Sequence, residues 1–410
     1  MKVEAPRGTH DVLASDWPHW ERIVDEVGRL CALYGYRPIT TPVFEDTELF
    51  QRTSGAGSDV VQKEMYTFLD RSGRSLTLRP EGTAPIARAY LQHGLQREPQ
   101  PAKLFTIAPM HRYSAPQRGR YREHWQLSVE AIGSADPAVD AEIVQLYAEL
   151  LRALGVSEWT LLLNSIGDAK CRPAYLERLT AWLDEHDADL RDEEVSEKRA
   201  TSPLRIFDVK SEAAQRVLAD APKIGESLCP ECEEHFAGVR TSLDAYGVAY
   251  ELAPTLVRGL DYYTRTTWEF VGPHEGAQSS LSGGGRYDGL VEEIGGPPTP
   301  GVGFGAGIER LHMAIAAEPK PAEIDVFLAC EDQARRLELL PLLAELRAAG
   351  RSAETDYAGR SLKGQLTQAQ RLGARTIVIA GGKEATIRRR GGRPDVSVPF
   401  SQLRQELREQ

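Results

Sequence analysis

No apolar run among the 410 residues approaches the roughly 20 needed to span a bilayer, so a membrane helix is not expected. Cysteine is scarce and odd in number: Cys31, Cys171, Cys229, Cys232 and Cys330 do not make a secreted disulfide framework. Positive charge is not in excess. With 49 Lys and Arg against 60 Asp and Glu, the net charge is -11, which argues against indiscriminate coating of nucleic acid but permits a local basic surface. The opening MKVEAPRGTHDVL has the character of neither a signal peptide nor a transit peptide, so a cytoplasmic location is expected by elimination. A dinucleotide fingerprint is missing too: GVGFGAG, with Gly303, Gly305 and Gly307, lacks the GxGxxG spacing and no βαβ unit surrounds it.

What is present is an ordinary globular composition, 41% hydrophobic and 27% charged, in a chain long enough for two or three domains. A helix with an apolar stripe of Trp20, Ile23, Val24, Val27, Leu30 and Leu33 precedes YRPITTPVFEDTELF, which reads as a strand burying Ile39 and Val43. MYTFLD and SLTLRP read as strands joined by the turn from Arg71 to Arg74, and RPEGT leads into a helix. DPAVDAEIVQLYAELLRALGV reads as an amphipathic helix ending at Gly155, and WTLLLNSIG as a buried strand. The segment 168–250 changes character to charged helices whose acidic runs suit solvated faces. Strands return over 251–318 with dense glycine, 319–324 is a Pro/charge linker, and 325–410 alternates as a compact α/β unit. Cys229-Pro-Glu-Cys232, with His235 three residues on and Cys171 far upstream, has ligand-like spacing, but a single CxxC is weak evidence for structural zinc and reduced thiols are the expected state.

The stretch from Phe105 to Gly133 organises the rest. LFTIAPM is a strand, a loop carries Arg112, Arg118, Arg120 and Arg122, and WQLSVEAIG is the return strand. Its period of two places Gln126, Ser128 and Glu130 on one face. Guanidinium groups at such a hairpin match polyphosphate oxygens, while the acid and amide beside them suit a cationic or hydrogen-bonding small molecule. Standing alone, the stretch reads more readily as a solvated Arg-rich hairpin than as a site, and Glu81 and Thr83 as simple helix capping.

It does not stand alone. RPEGT, LVRGLDYYTRT, GGGRYDGL and the glycine-rich strand leading to Arg310 together resemble the signature set of class II aminoacyl-tRNA synthetases, and specifically the histidyl-tRNA synthetase family, over nearly the whole chain. The resemblance implies an α+β fold. Its parts would be an antiparallel sheet flanked by helices (1–167 and 251–318), a mostly helical insertion (168–250) and a C-terminal α/β anticodon-binding-type domain (325–410). It also implies a homodimer that condenses histidine with ATP and transfers the product to tRNA-His, with Mg²⁺ on the phosphates. Carried over residue by residue, Arg258 and Arg112 are the catalytic pair. Glu81, Gly82, Thr83, Gln126, Glu130, Tyr262, Tyr263 and Tyr287, with Arg112 and Arg258, would hold histidine, Glu130 and Tyr263 reading the imidazole. Arg112, Arg120, His124 and Arg310 would hold ATP, and Gln117, Arg118 and Arg120 would meet the tRNA acceptor end. Arg388, Arg389, Arg390 and Arg393 either meet the anticodon stem or form a solvated hairpin. The chain departs from the family pattern at Ser114, Ala115 and His124, where an acid, an arginine and an aromatic are usual; this touches how adenine is held. A competing reading is a non-catalytic histidine-binding regulatory subunit of ATP phosphoribosyltransferase, which should lack the catalytic arginines and the C-terminal domain.

Overall fold

The structure is a computed structural model that describes residues 3–55, 58, 60–273, 279–315, 323–391 and 394–408. The chain divides into two compact units, Met1–Val12 with His19–Ala317, and Leu13–Pro18 with Glu318–Gln410.

The larger unit is built on an eight-stranded sheet. Its order is Arg37–Pro38, Ala102–His111, Glu123–Ile132, Gly301–Gly307, Ser280–Arg286, Thr264–Val271, Thr160–Ser165 and Glu251–Leu252. The six central strands pair antiparallel and the two short edge strands pair parallel. The expected alternation decides which face does what. Leu127, Val129 and Ala131, with Val302, Phe304, Ala306, Trp268 and Phe270, bury one face in the main core. Their neighbours in register turn Gln126, Ser128 and Glu130, Gly303 and Gly305, Gly283 and Glu269 to the other. One face is therefore apolar core, and the other is free to carry polar chemistry. A separate three-stranded sheet, Phe44–Asp46, Ser75–Leu78 and Tyr66–Leu69, lies ahead of the helix Thr83–Gln92.

The helix Pro137–Leu154 shows how local signals set the boundaries. The Asp136 side chain accepts from the Ala138 N–H, Pro137 occupies the first turn, and Gly155 closes it in the left-handed region. It is not amphipathic as expected, being buried nearly all round. Ile143, Val144, Leu146, Tyr147, Leu150, Leu151 and Leu154 fill the main core, where the helix Pro230–Tyr246 contributes Val239 and Leu243. The first helix, Trp17–Leu33, buries Trp20, Ile23, Val27 and Leu30, but Val24 and Leu33 of the expected stripe are exposed. The expected strand burying Ile39 and Val43 is broken into two short pieces, Arg37–Pro38 and Phe44–Asp46; Ile39 is half-buried and Val43 is exposed. Pro38 and Pro42 have no N–H to donate to a ladder, so the segment cannot pair along its length. The charged segment after residue 168 does hold a small core of its own, including Tyr175, Leu179, Leu183 and Ile206.

The smaller unit is a five-stranded mixed sheet in the order Ala353–Thr355, Val326–Cys330, Thr376–Ala380, Glu384–Arg389 and Val396–Pro399, with the helices Gln333–Ala348, Leu362–Arg371 and Leu403–Arg408. The expected linker lies mostly outside the described residues. In this unit Arg388 pairs with Asp395, Arg389 with Glu406 and Arg390 with Glu323, as a solvated hairpin would, and Arg393 lies outside the described residues. Among the described residues no helix is long and apolar enough to cross a membrane.

Candidate active site

On the polar face of the large sheet lies a cavity of about 330 Å³. The start of the helix Thr83–Gln92 forms one wall, the loop between the strands Ala102–His111 and Glu123–Ile132 a second, and the segment 258–263 a third. The glycines of the two central strands make the room. A Cβ on Gly283 would sit 1.8 Å from the Arg258 guanidinium, and one on Gly303 would sit 1.8 Å from the Glu130 carboxylate. A Cβ on Gly305 would come within 2.9 Å of the Gln126 amide. These strands are glycine-rich because larger side chains from neighbouring elements occupy the space above them.

The cavity is rich in cationic side chains. Arg112, Arg120, Arg258 and Arg310 all line it. Arg112 is anchored by its Nε donating to Pro80 O at 2.7 Å, and Arg310 by donating to Gly119 O at 3.0 Å and Ser280 O at 2.6 Å. Arg120 pairs with Glu64 at 3.0 Å, and Arg258 faces Glu269 at 3.4 Å. Burial, then the repulsion of Arg120, Arg112 and Arg258, holds the Arg310 guanidinium below its ordinary range, with Glu269 opposing. Four guanidinium groups gathered in this way repel one another, and an anion between them would relieve that repulsion. His124 stands among them, its imidazole held down to about 3 first by burial and then by Arg112 and Arg310, so it is neutral at physiological pH. Ser114 Oγ and Arg258 Nε, both on lining residues, are buried without a hydrogen-bond partner among the described residues.

The lining also offers a recess of acids, hydroxyls and an amide. Glu81 accepts from the N–H groups of Thr83 at 2.6 Å and Ala84 at 2.9 Å, so it does cap the helix while also lining the cavity. A carboxylate has about four acceptor sites, so capping leaves it able to bind. Gln126 donates to Ser128 Oγ at 2.9 Å, and Tyr262 and Tyr263 lie with ring centroids 4.6 Å apart. Behind this wall, and not on it, are Glu130 and Tyr287. Glu130 accepts from the Thr83 hydroxyl at 2.7 Å and the Tyr287 hydroxyl at 2.5 Å. Gly82 does not line the cavity either; its missing Cβ lets the helix start approach Ser128. Gln117 and Arg118 are exposed on the hairpin loop and lie off the cavity wall. Glu269, Glu309 and Glu64 were not singled out from the sequence. Their role depends on which arginine each faces, and no local spacing signals that.

Burial pushes the Glu130 carboxyl up to about 8, Tyr287 and Thr83 pulling back and Glu81 adding to the rise. Folding therefore favours its protonated form. Its contribution to stability is full below the unfolded carboxyl range of about 4.3 and is lost as pH rises through about 8. Glu130→Gln removes that dependence. In thermal melts without added small molecules, the melting temperature of the variant minus that of the wild type should climb from about pH 5 to about pH 8 and then level off. A difference that stays flat across that window would remove this account of Glu130.

Comparison with known proteins bears on both units. The sequence model of histidyl-tRNA synthetase matches residues 8–311, and that of an anticodon binding domain matches residues 329–410. A histidine–tRNA ligase of Dehalococcoides mccartyi is 43% identical, covering 99% of this chain and 99% of its own. One from Desulforudis audaxviator is 48% identical, covering 94% of this chain and 92% of its own. Among solved structures, apo histidyl-tRNA synthetase of S. aureus superposes with a TM-score of 0.81 at 33% identity, covering 99% of each chain. A Bacillus halodurans protein described as an ATP phosphoribosyltransferase regulatory subunit/histidyl-tRNA synthetase shares the fold, with a TM-score of 0.67 at 24% identity over 93% of this chain and 99% of its own.

Proposed function

The chain belongs to the histidyl-tRNA synthetase family, and from that premise we propose that it is a histidine–tRNA ligase. It activates L-histidine with ATP to histidyl-adenylate, releasing pyrophosphate, and transfers the histidyl group to the 3′ end of tRNA-His. The observation that carries this reading is the meeting, in one cavity, of Arg112, Arg120, Arg258 and Arg310 with a recess formed by Glu81, Thr83 and Gln126. A triphosphate suits the arginines and an amino acid the recess. The regulatory-subunit reading requires the loss of these arginines and of the C-terminal domain; the chain has both.

The chemistry assigns the roles. Attack of the histidine carboxylate on the α-phosphate brings two anions together. Guanidinium groups already fixed in place offset their repulsion and stabilise the added charge of the transition state without rearranging. Arg258 is proposed to bridge the carboxylate and the α-phosphate, Arg112 to hold the α-phosphate, and Arg310 and Arg120 the rest of the triphosphate. His124, neutral and set between Arg112 and Arg310, is proposed to stack on adenine. The histidine ammonium would find Glu81, Thr83 and Gln126. Tyr263 and Glu130 are proposed to read the imidazole, with Tyr262 and Tyr287 shaping the pocket. For Glu130 this means exchanging a hydroxyl partner it has here for the ligand.

Mg²⁺ binds oxygen ligands and keeps most of its coordination for phosphate and water, where it would neutralise charge on the leaving pyrophosphate. Glu309 fits as a protein ligand. It lines the cavity beside Arg310, and burial pushes its carboxyl up to about 7, a cost that a cation would reverse. Gln117, Arg118 and Arg120 on the exposed hairpin loop are proposed to meet the tRNA acceptor end, and the unit matching an anticodon-binding domain to meet the anticodon stem. Segments 1–167 and 251–318 would form the catalytic core and 168–250 an insertion into it. A cytoplasmic homodimer with two such sites completes the proposal. Histidine-dependent exchange of pyrophosphate into ATP tests it.

A further inference from the structure

Outside the cavity, three of the five cysteines converge on one carboxylate. Asp168 and Cys171 follow the strand Thr160–Ser165, while Cys229 and Cys232 open the helix Pro230–Tyr246. One Sγ or carboxylate oxygen from each lies within 4.8 Å of all the others. Cys171 Sγ is 3.9 Å from Cys232 Sγ and 3.6 Å from Asp168 Oδ1, and Cys229 Sγ is 3.9 Å from the same oxygen. A tetrahedral zinc ion with ordinary bond lengths requires edges of about 3.8 Å between sulfurs and about 3.5 Å between sulfur and oxygen. The side chains therefore already stand close to the corners of such a tetrahedron. We propose that Asp168, Cys171, Cys229 and Cys232 hold a structural zinc ion.

The surroundings fit this assignment. The two oxygens of Asp168 are divided: Oδ1 faces the thiols and Oδ2 faces Arg265 at 3.7 Å. The Asp168 N–H points at Cys171 Sγ at 3.2 Å, the kind of backbone donor that supports a bound thiolate. Cys171 and Cys229 each stand at the N-cap of a helix, where the helix dipole favours a thiolate. Three thiolates and a carboxylate around a divalent ion leave two negative charges, with Arg265 and Arg172 close by. Thiolate-rich tetrahedral sites favour zinc over hard cations such as magnesium. His235, although it follows Cys232 by three residues, takes no part: its imidazole lies 3.8 Å from Asp140 and 3.5 Å from the Thr266 hydroxyl. Asp168 and Cys171 stand where the chain enters the small helical core, and Cys229 and Cys232 where it leaves. The ion would clamp both ends of that core to the catalytic sheet. Arg172, next to Cys171, donates to the Tyr263 carbonyl, so the clamp also backs one wall of the cavity.

The test uses the full chain, reduced and stripped of metal by a chelator, titrated with Co²⁺ alone. Thiolate-to-cobalt charge-transfer absorption is expected to saturate at one equivalent per chain and to be displaced by one equivalent of Zn²⁺. Cys171→Ser and the half-exposed Cys229→Ser should weaken Co²⁺ binding by about 100-fold or more, whereas Cys330→Ser, in the other unit, should bind as wild type. The wild-type titration stands even if a variant fails to fold. No charge-transfer absorption, or absorption undiminished in both cluster variants, would overturn the proposal. So would three titratable thiols in the denatured chain before any reduction, with a peptide map joining Cys171 to Cys232, since that would show a disulfide within the cluster.

Discussion

Arg258→Ala is expected to lower histidine-dependent ATP–pyrophosphate exchange by about 10²–10³-fold, the loss seen when one fixed donor to a developing negative charge is removed. The geometry supports so large an effect from one residue. The Arg258 guanidinium lies over Gly283 in space that any Cβ would fill, and Glu269 aligns it from the strand beneath at 3.4 Å. Its Nε has no hydrogen-bond partner among the described residues, so part of its donor capacity is unused by the protein. Histidine binding should weaken but remain measurable by calorimetry, because Glu81, Thr83 and Gln126, proposed to hold the ammonium, are left in place. Arg258→Lys should recover little, since an ammonium cannot bridge two anions with a planar fork of donors. Exchange near the wild-type rate in Arg258→Ala would mean that another arginine carries the transition-state charge.

The second large effect concerns stability. Arg286 and Asp140 are fully buried partners, joined by Nε to Oδ1 at 3.2 Å and by a second, shorter bond from Nη2 to Oδ2. Arg286 also donates to Ser134 O at 2.8 Å and Asp136 O at 3.3 Å, so one guanidinium gathers the start of the helix Pro137–Leu154 against the sheet. His235 stands 3.8 Å from the same carboxylate, its imidazole held below its ordinary range by burial. Asp140→Ala removes the fully buried partner and leaves Arg286 only the partly exposed Asp288, at 3.2 Å, so it is expected to cost about 3–5 kcal/mol in urea unfolding. Replacing both, as Asp140→Leu with Arg286→Met, should recover much of that loss, because an apolar pair avoids the desolvation penalty. A cost below about 1 kcal/mol for Asp140→Ala would show that water or another group takes over the pairing. The next residue is Tyr287, which donates to Glu130, so the same ion pair helps to fix the back wall of the cavity.

Much of the site was legible because it depends on short-range periodicity. Gln126, Ser128 and Glu130 share a face because a strand alternates, and the Arg112 hairpin joins adjacent strands because its two arms are close in sequence. Arg310 follows a strand of small residues and reaches the cavity, as expected. The parts that were missed are long-range. Asp140 and Arg286 are 146 positions apart, and neither has a local pattern that announces the other. The glycines suggested close approach, but which side chain approached each one was set by the packing of separate elements. Glu130 was placed on the correct face yet stands behind Thr83, a matter of depth that alternation does not encode. The helix Pro137–Leu154 is buried nearly all round because the sheet lies on one side and the helix Pro230–Tyr246 on another. The cysteines of the CxxC spacing do meet Cys171 in space, but the group that joins their cluster is Asp168 and not His235; chain reversal in space decided between them.

The most direct test of the central claim is pyrophosphate exchange by the wild-type chain. Radiolabelled pyrophosphate, ATP, Mg²⁺ and single amino acids are supplied in turn, with histidine binding followed in parallel by calorimetry. The synthetase reading predicts exchange into ATP that depends on histidine and is not supported by the other amino acids. Histidine binding without exchange would contradict it and favour a sensing role for the same pocket.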